Sequence, residues 1–441
     1  MSGGRGEEWS EARAEGRLRS LELFGMRFGL DRMRRMMTAL GGVGGDRFPA
    51  FDTIQVLGTN GKSSTTRMTA AILERHGLRT GAYTSPHLTA WRERILIGER
   101  ELDAADFGGA VARADRAAQQ VDRTLAEDDH VTQFELITAA ALWEMARRDV
   151  QVGVVEAGLG GRYDATSVVE ARVTVLTNVG LEHTRWLGPT VTDIAEEKLA
   201  VVRPGAALVV GEGLAPDALA VAERIAAERD ARIERPRPLE DSIRLRARGP
   251  FQRRNFALAR AAAAAYLREL GRELDERAVR DAAASVEVPG RLQIVSEQPL
   301  TVLDGAHNPD AVAALTESMG ELFGTRKPAL VMGVLEDKDA AAMLRQLLPL
   351  CGRTWFTAPP SDRALSPAAL ESRARQLGFA ETACEPRPER ALAAARSWAA
   401  EHDAGVLATG SVYLVGELLS RLASGDGHEL GLRSHAGGSG R

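Results

Sequence analysis

Short apolar runs alternate with longer amphipathic stretches along most of the chain. Eight runs read as strands: 53–57 (TIQVL), 152–156 (VGVVE), 172–177 (RVTVLT), 206–210 (AALVV), 300–304 (LTVLD), 329–334 (ALVMGV), 353–357 (RTWFT) and 404–409 (AGVLAT). Each is apolar almost throughout rather than strictly alternating, the pattern of parallel strands covered on both faces. Strand and helix in repeated succession predict an α/β fold. Near 290–300, VPGRLQIVSEQP sets Pro and Gly between a helical region and a new strand, so a boundary is expected there. That predicts an N-terminal domain over 17–296 and a smaller C-terminal domain over 297–423. Residues 1–16 and the tail from 424 are Gly-rich and polar, and are expected to be disordered. No internal repeat is visible.

Composition narrows the class. Of 441 residues, 44% are hydrophobic and 27% charged, as in a soluble globular protein. No run of 18 apolar residues is present, so no membrane span is expected. The charged N-terminus lacks the apolar centre of a secretory signal. Cys351 and Cys384 have no metal-ligand spacing, which fits unpaired thiols in a reducing cytoplasm. The formal charge, 56 − 61 = −5, argues against a nucleic-acid partner, although a local basic pocket could still hold a polyanion.

The strongest local signal is TIQVLGTNGKSSTTRMTAAILERHG, residues 53–77. An apolar strand runs into Gly58-Thr59-Asn60-Gly61-Lys62-Ser63-Ser64, and a helix follows. Glycines let the backbone curl so that N–H groups meet phosphate oxygens, and the helix N-terminus adds partial positive charge. Lys62 is placed to reach terminal phosphates, and Ser63 or Ser64 to touch Mg²⁺. Val56 stands where the full phosphate-loop pattern has its first glycine. Gly158-Leu159-Gly160-Gly161-Arg162 follows a strand, but Tyr163 breaks the dinucleotide pattern. Gly41 to Gly45 follow a helix and read as a loop. A nicotinamide enzyme is therefore not expected.

Other candidates lie just past strands. Glu156 ends VGVVE, where a carboxylate beside a phosphate loop suits a Mg²⁺ ligand, or simply an exposed strand end. Asp304 and His307 stand in LDGAHNP, a ligand crevice or a capping turn before a helix over 310–323. Taken alone, His183 reads as a structural or surface histidine and Lys198 as a solvated helix lysine.

Together these segments resemble the folylpolyglutamate synthase and dihydrofolate synthase family of the Mur-ligase superfamily. The resemblance rests on LGTNGKSS (57–64), TSPHL (84–88), TQFE (132–135), VEAGLGGRYDAT (155–166), GLEHTRWLGPTVTDIAEEK (180–198), FQRRN (251–255), PGRLQ (289–293), LDGAHNPDA (303–311), GVLEDKD (333–339) and TGSVYLVGE (409–417). It implies a phosphate-loop ATPase domain with a parallel sheet and a smaller Rossmann-like glutamate-ligase domain.

The resemblance also implies site residues. Gly58, Thr59, Asn60, Gly61, Lys62, Ser63 and Ser64 would hold the ATP phosphates. Ser85, Glu156 and His183 match Mg²⁺ ligands, with two ions expected, and Lys198 matches a lysine carbamylated into an anionic ligand. Asn255, Arg291 and Asp304 match groups for the nucleotide's base, phosphate and ribose across the domain cleft, which His307 lines. The implied substrates are ATP, L-glutamate and dihydropteroate or a reduced folate, used by a cytoplasmic monomer. One departure is Ser63, where the family has glycine.

The chemistry follows from the parts. A carboxylate resists attack by an amine until γ-phosphoryl transfer turns it into an acyl phosphate, which glutamate's amine opens to an amide. Lys62, Lys198 and His307 are the expected catalytic groups. Residues 83–95, with Arg92 and Arg94, and 128–135 are candidate linings for a flat anionic acceptor. Two rivals stand: a Mur-type amino-acid ligase of cell-wall synthesis, and a homologue that binds nucleotide without ligase chemistry.

Overall fold

The structure is a computed structural model that describes residues 9–22, 27–41 and 48–424. The chain divides into two units, residues 1–246 with 253–287, and residues 247–252 with 288–441.

The first unit is built on an eight-stranded sheet in the order β4-β3-β2-β5-β1-β6-β7-β8. Its strands are β1 (Asp52–Leu57), β2 (Thr80–Tyr83), β3 (Ile95–Ile97), β4 (Arg100–Glu101), β5 (Val152–Glu156), β6 (Ala171–Leu176), β7 (Ala207–Val210) and β8 (Arg232–Glu234). All neighbours are parallel except β2 with β3 and β3 with β4. β1 sits between β5 and β6, both reached only after the chain has left β1 for β2. That reversal opens a crevice at the carboxyl ends of β5, β1 and β6, where ligands of open α/β sheets bind.

The second unit has a six-stranded sheet in the order β13-β12-β11-β14-β10-β9. Its strands are β9 (Gln293–Glu297), β10 (Leu300–Leu303), β11 (Ala329–Met332), β12 (Arg353–Phe356), β13 (Thr382–Cys384) and β14 (Val406–Thr409). Only the β9–β10 pair is antiparallel.

All eight expected strands form, and they are the buried centres of the two sheets. The six unforeseen strands are short or edge elements: β2, β3, β4, β8, β9 and β13. Partly polar sequences such as Gln293–Glu297 carry no continuous apolar run, so only their pairing defines them.

Three further expectations need correction. The break falls at 287/288 rather than 296/297, because β9 pairs with β10 and belongs to the second sheet. Residues 250–252 of the helix Pro250–Glu269 also fall in the second unit. Disorder over 1–16 does not hold where residues are described, since Glu11–Ser20 is a helix capped by the Ser10 side chain. It buries Ala14 and Leu18, and Arg17 bonds Asp115 at 2.6 Å on the helix Ala104–Asp122. A Cβ at Gly108 would lie 1.9 Å from the Trp9 carbonyl oxygen, so glycine permits this close approach. Burial of a leucine here contributes about 1.5–3 kcal/mol. The helix expected over 310–323 is two, Pro309–Thr316 and Met319–Phe323, broken around Glu317 and Ser318. Expectations for residues 1–8, 42–45 and 425–441 fall outside the described residues.

Candidate active site

The segment after β1 forms a tight loop before the helix Lys62–Arg75. Gly58 has φ +143°, and a Cβ there would lie 1.9 Å from Thr177 Oγ1. Gly61, with φ +81°, starts the helix without a side-chain cap. A Cβ on Gly61 would meet Asn255 Oδ1 at 2.6 Å, so Asn255 stands against the loop. Lys62 Nζ donates to the Thr59 carbonyl at 3.1 Å. Ser64 is buried and Ser63 only half-buried.

The loop is braced by the segment that follows β6. Thr177 Oγ1 donates to Asn60 O at 2.6 Å, and Gly180 N to Thr59 Oγ1 at 2.9 Å. Asn178 Oδ1 accepts from Asn60 N at 2.8 Å and Thr59 N at 3.2 Å. The Thr59 and Asn60 amides therefore both turn to Asn178.

Lys198 overturns the solvated-lysine reading. It is 4% exposed on the helix Val191–Leu199, and its Nζ donates to Gly58 O at 2.9 Å. Burial, and then the positive charge of Lys62, push its amine down to about 7. Gly161 makes this approach possible, since a Cβ there would lie 2.3 Å from the Lys198 carbonyl oxygen. The weak-looking GLGGR segment therefore has a packing reason.

Glu156 ends β5 almost fully buried, and its Oε2 accepts from Ser85 N at 3.0 Å. These two expected ligands are brought together. His183 is exposed at φ +55°, heading the short helix Thr184–Leu187. Among the described residues, no group of three or more His, Cys, Asp or Glu side chains forms a metal cage.

Arg92 and Arg94, the arginines of the segment expected to line the acceptor, both engage protein groups. Arg94 is buried, stacks over the Trp91 ring at 4.3 Å and donates to His87 Nδ1 at 3.0 Å. Burial and that neighbouring guanidinium push His87 down to about 3, so it stays a neutral acceptor. Arg92 pairs with Glu11 at 3.2 Å.

In the second unit, Asp304 follows β10 and is 2% exposed. Its oxygens accept from Leu292 N at 2.9 Å and Ala306 N at 2.8 Å, so the carboxylate pins the 290s to the 304–306 turn. Burial raises its pKa while Arg291 opposes the rise. His307 Nδ1 lies 2.8 Å from Gly305 O. A carbonyl only accepts, so Nδ1 carries the proton, and in the neutral ring Nε2 is an acceptor. Asn308 caps the next helix by accepting from Ala311 N at 2.8 Å, as the capping reading of this segment expects.

Sequence reasoning missed Thr177, Asn178 and Asp164. Asp164 is buried, accepts from Leu159 N at 2.7 Å and Thr166 N at 3.0 Å, and has its pKa raised by burial. Its position just past β5 was an available signal.

Comparison with known proteins identifies the family. The Mur ligase middle domain profile matches residues 56–207, and the Mur ligase glutamate ligase domain profile matches 290–412. The folylpolyglutamate synthase of Lacticaseibacillus casei is 33% identical over 416 residues, covering 89% of this chain and 94% of that protein. The chain belongs to the folylpolyglutamate synthase/dihydrofolate synthase family of Mur ligases. The Escherichia coli dihydrofolate synthase/folylpolyglutamate synthase is 36% identical over 323 residues, 70% of this chain and 74% of that one. The ADP complex of the Mycobacterium tuberculosis folylpolyglutamate synthase superposes with a TM-score of 0.83 at 30% identity, covering 92% of this chain and 98% of that one. An E. coli relative complexed with DHPP and ADP gives 0.79 at 30% identity, over 94% and 98%. No described helix is long and apolar enough to cross a membrane.

Proposed function

We propose that this chain is an ATP-dependent ligase that joins L-glutamate to a folate-type carboxylate through an acyl phosphate, working in the cytoplasm as a monomer. The observation that carries the reading is the phosphate loop at the β5–β1–β6 crevice, with Lys198 buried against Gly58 O. ADP in the related complexes supports a nucleotide as ligand, and DHPP in one of them supports a folate-type acceptor. Relatives matched over most of their length are folate-type synthases, which disfavours the cell-wall reading.

In this reading, Lys62 and the amides from Gly61 to Ser64 hold the phosphate oxygens and take up charge in transfer. Asn255 sits against Gly61, suited to the nucleotide's base. Arg291 and Asp304 serve the nucleotide in the second unit, Asp304 by shaping the 290–306 turn. His307, held at the 304–307 turn through Nδ1, is the group of the second unit assigned to the incoming amine. Ser85 and Glu156, which lie together, would hold Mg²⁺ with His183 and a hydroxyl of Ser63 or Ser64, and Mg²⁺ suits such a site because it keeps waters and uses few protein ligands. Mg²⁺, one or two ions when bound, offsets negative charge on the transferring group.

Lys198 is suited to carbamylation because burial favours its neutral amine, which adds to CO₂ with loss of one proton. The resulting carboxylate removes a buried cation beside Lys62.

The test is ADP release by the purified chain with ATP, Mg²⁺ and glutamate plus dihydropteroate, tetrahydrofolate or no acceptor. Acceptor-dependent release supports the ligase, and none with either acceptor overturns it. Both activities are expected, since the E. coli and Bacillus subtilis relatives carry both names. Turnover of tetrahydrofolate alone would make this a dedicated polyglutamate synthase.

A further inference from the structure

We propose that Asn178 is a positioning residue for the nucleotide: it occupies the Thr59 and Asn60 amides of the phosphate loop and leaves the phosphates to the amides that begin the following helix. The proposal rests on the nucleotide reading above and goes beyond it.

An anion-cradling loop works by converging backbone N–H groups on one point. Here two of those groups have a protein acceptor. Asn178 takes the Asn60 amide at 2.8 Å through Oδ1, and the Thr59 amide through both Oδ1 at 3.2 Å and its own carbonyl at 3.1 Å. The neighbouring residues close the other side. Thr177 Oγ1 reaches Asn60 O, and Gly180 N reaches Thr59 Oγ1. The turn at Thr59 and Asn60 is thereby bound through amide, carbonyl and hydroxyl alike, with no ligand needed to shape it.

What remains is the start of the helix Lys62–Arg75. Gly61 supplies no side-chain cap, and the first amides of a helix have no intrahelical acceptor. Fourteen residues of aligned peptide dipoles stand behind them. With the preceding turn fixed, the Gly61 to Ser64 amides are aimed as a set. The brace also links the loop to the segment leading to His183, because Gly180 lies on it. A side chain serving only the sheet would not need an acceptor shared by two successive loop amides.

Hydrogen exchange at single-residue resolution, on the intact protein with and without ADP, tests this without any substitution. The Thr59 and Asn60 amides should exchange slowly before ADP is added and change little afterwards. The Lys62, Ser63 and Ser64 amides should slow on ADP binding. Fast exchange at Thr59 and Asn60 without nucleotide, or new protection there with it, overturns the proposal.

The variant Asn178→Leu removes the side-chain acceptor of the Asn60 amide at similar size and leaves the main-chain carbonyl to Thr59. The dissociation constant for ADP and KM for ATP should each rise by at least about tenfold, the loss of charge-assisted contacts from a misaimed loop. KM for the folate-type acceptor should stay unchanged, and the variant should remain folded. Asn178→Asp, which keeps acceptor oxygens, should keep slow exchange at Thr59 and Asn60. A melting temperature lowered in Asn178→Leu with ADP affinity intact would show a merely structural role and overturn the proposal alone. Absence of any ADP binding by the unaltered protein would remove the nucleotide reading as well.

Discussion

Lys198 Nζ donates to the carbonyl oxygen of Gly58 at 2.9 Å, across 140 positions of chain. The contact brings a buried amine to the first turn of the phosphate loop. It gives that amine a reason to be lysine, since a guanidinium could neither lose its charge nor form a carbamate.

Lys198→Ala should therefore be nearly inactive while folded, and short carboxylates such as acetate should restore part of the rate. Labelled bicarbonate should give a carbamate carbon signal in the unaltered protein and none in the variant. A fully active Lys198→Ala, or an unaltered protein without the signal, refutes the carbamate.

Lys62→Ala should lower kcat by about a hundredfold or more, the scale of losing one contact to developing charge. Circular dichroism should show the fold unchanged, because Lys62 is only partly buried. Near-normal turnover in a folded variant would remove the phosphate-loop assignment.

Gly58→Ala should abolish nucleotide binding. The new methyl group would sit 1.9 Å from Thr177 Oγ1, and φ +143° is strained for alanine. Replacing Thr177 with alanine as well relieves the contact but not the backbone, so calorimetry with ADP should show partial recovery at most.

The buried pair Arg32–Glu135 offers a stability test in the first unit. Arg32 Nε bonds both Glu135 oxygens at 3.0 Å, and Thr132 N adds a third donor at 2.8 Å. Arg32→Met strands the carboxylate and should cost about 3–5 kcal/mol in urea unfolding. Adding Glu135→Gln should recover part of that loss. Equal stability of the single variant and the parent would show that the pair is not what holds the helix Asp31–Gly41.

The mostly apolar runs of β1, β5, β6 and β7 were legible because a strand buried on both faces is apolar at most of its positions. Gly58 to Ser64 were legible because a strand, a glycine turn and a helix are local in sequence. The order β5-β1-β6 was not, since which strands flank β1 is set by crossovers spanning scores of residues. Nor was the pairing of β9, whose Gln293–Glu297 sequence carries no apolar run. Residue type and position could name Glu156 as a candidate, Lys198 was named only by the family resemblance, and burial decided the state of both. A lysine in the last turn of a helix looks solvated until tertiary packing places Gly161 against its carbonyl. Asn178 had no local signature at all. Its role depends on two amides more than a hundred positions away, and only the folding of β6 beside β1 brings acceptor and donors within hydrogen-bond distance.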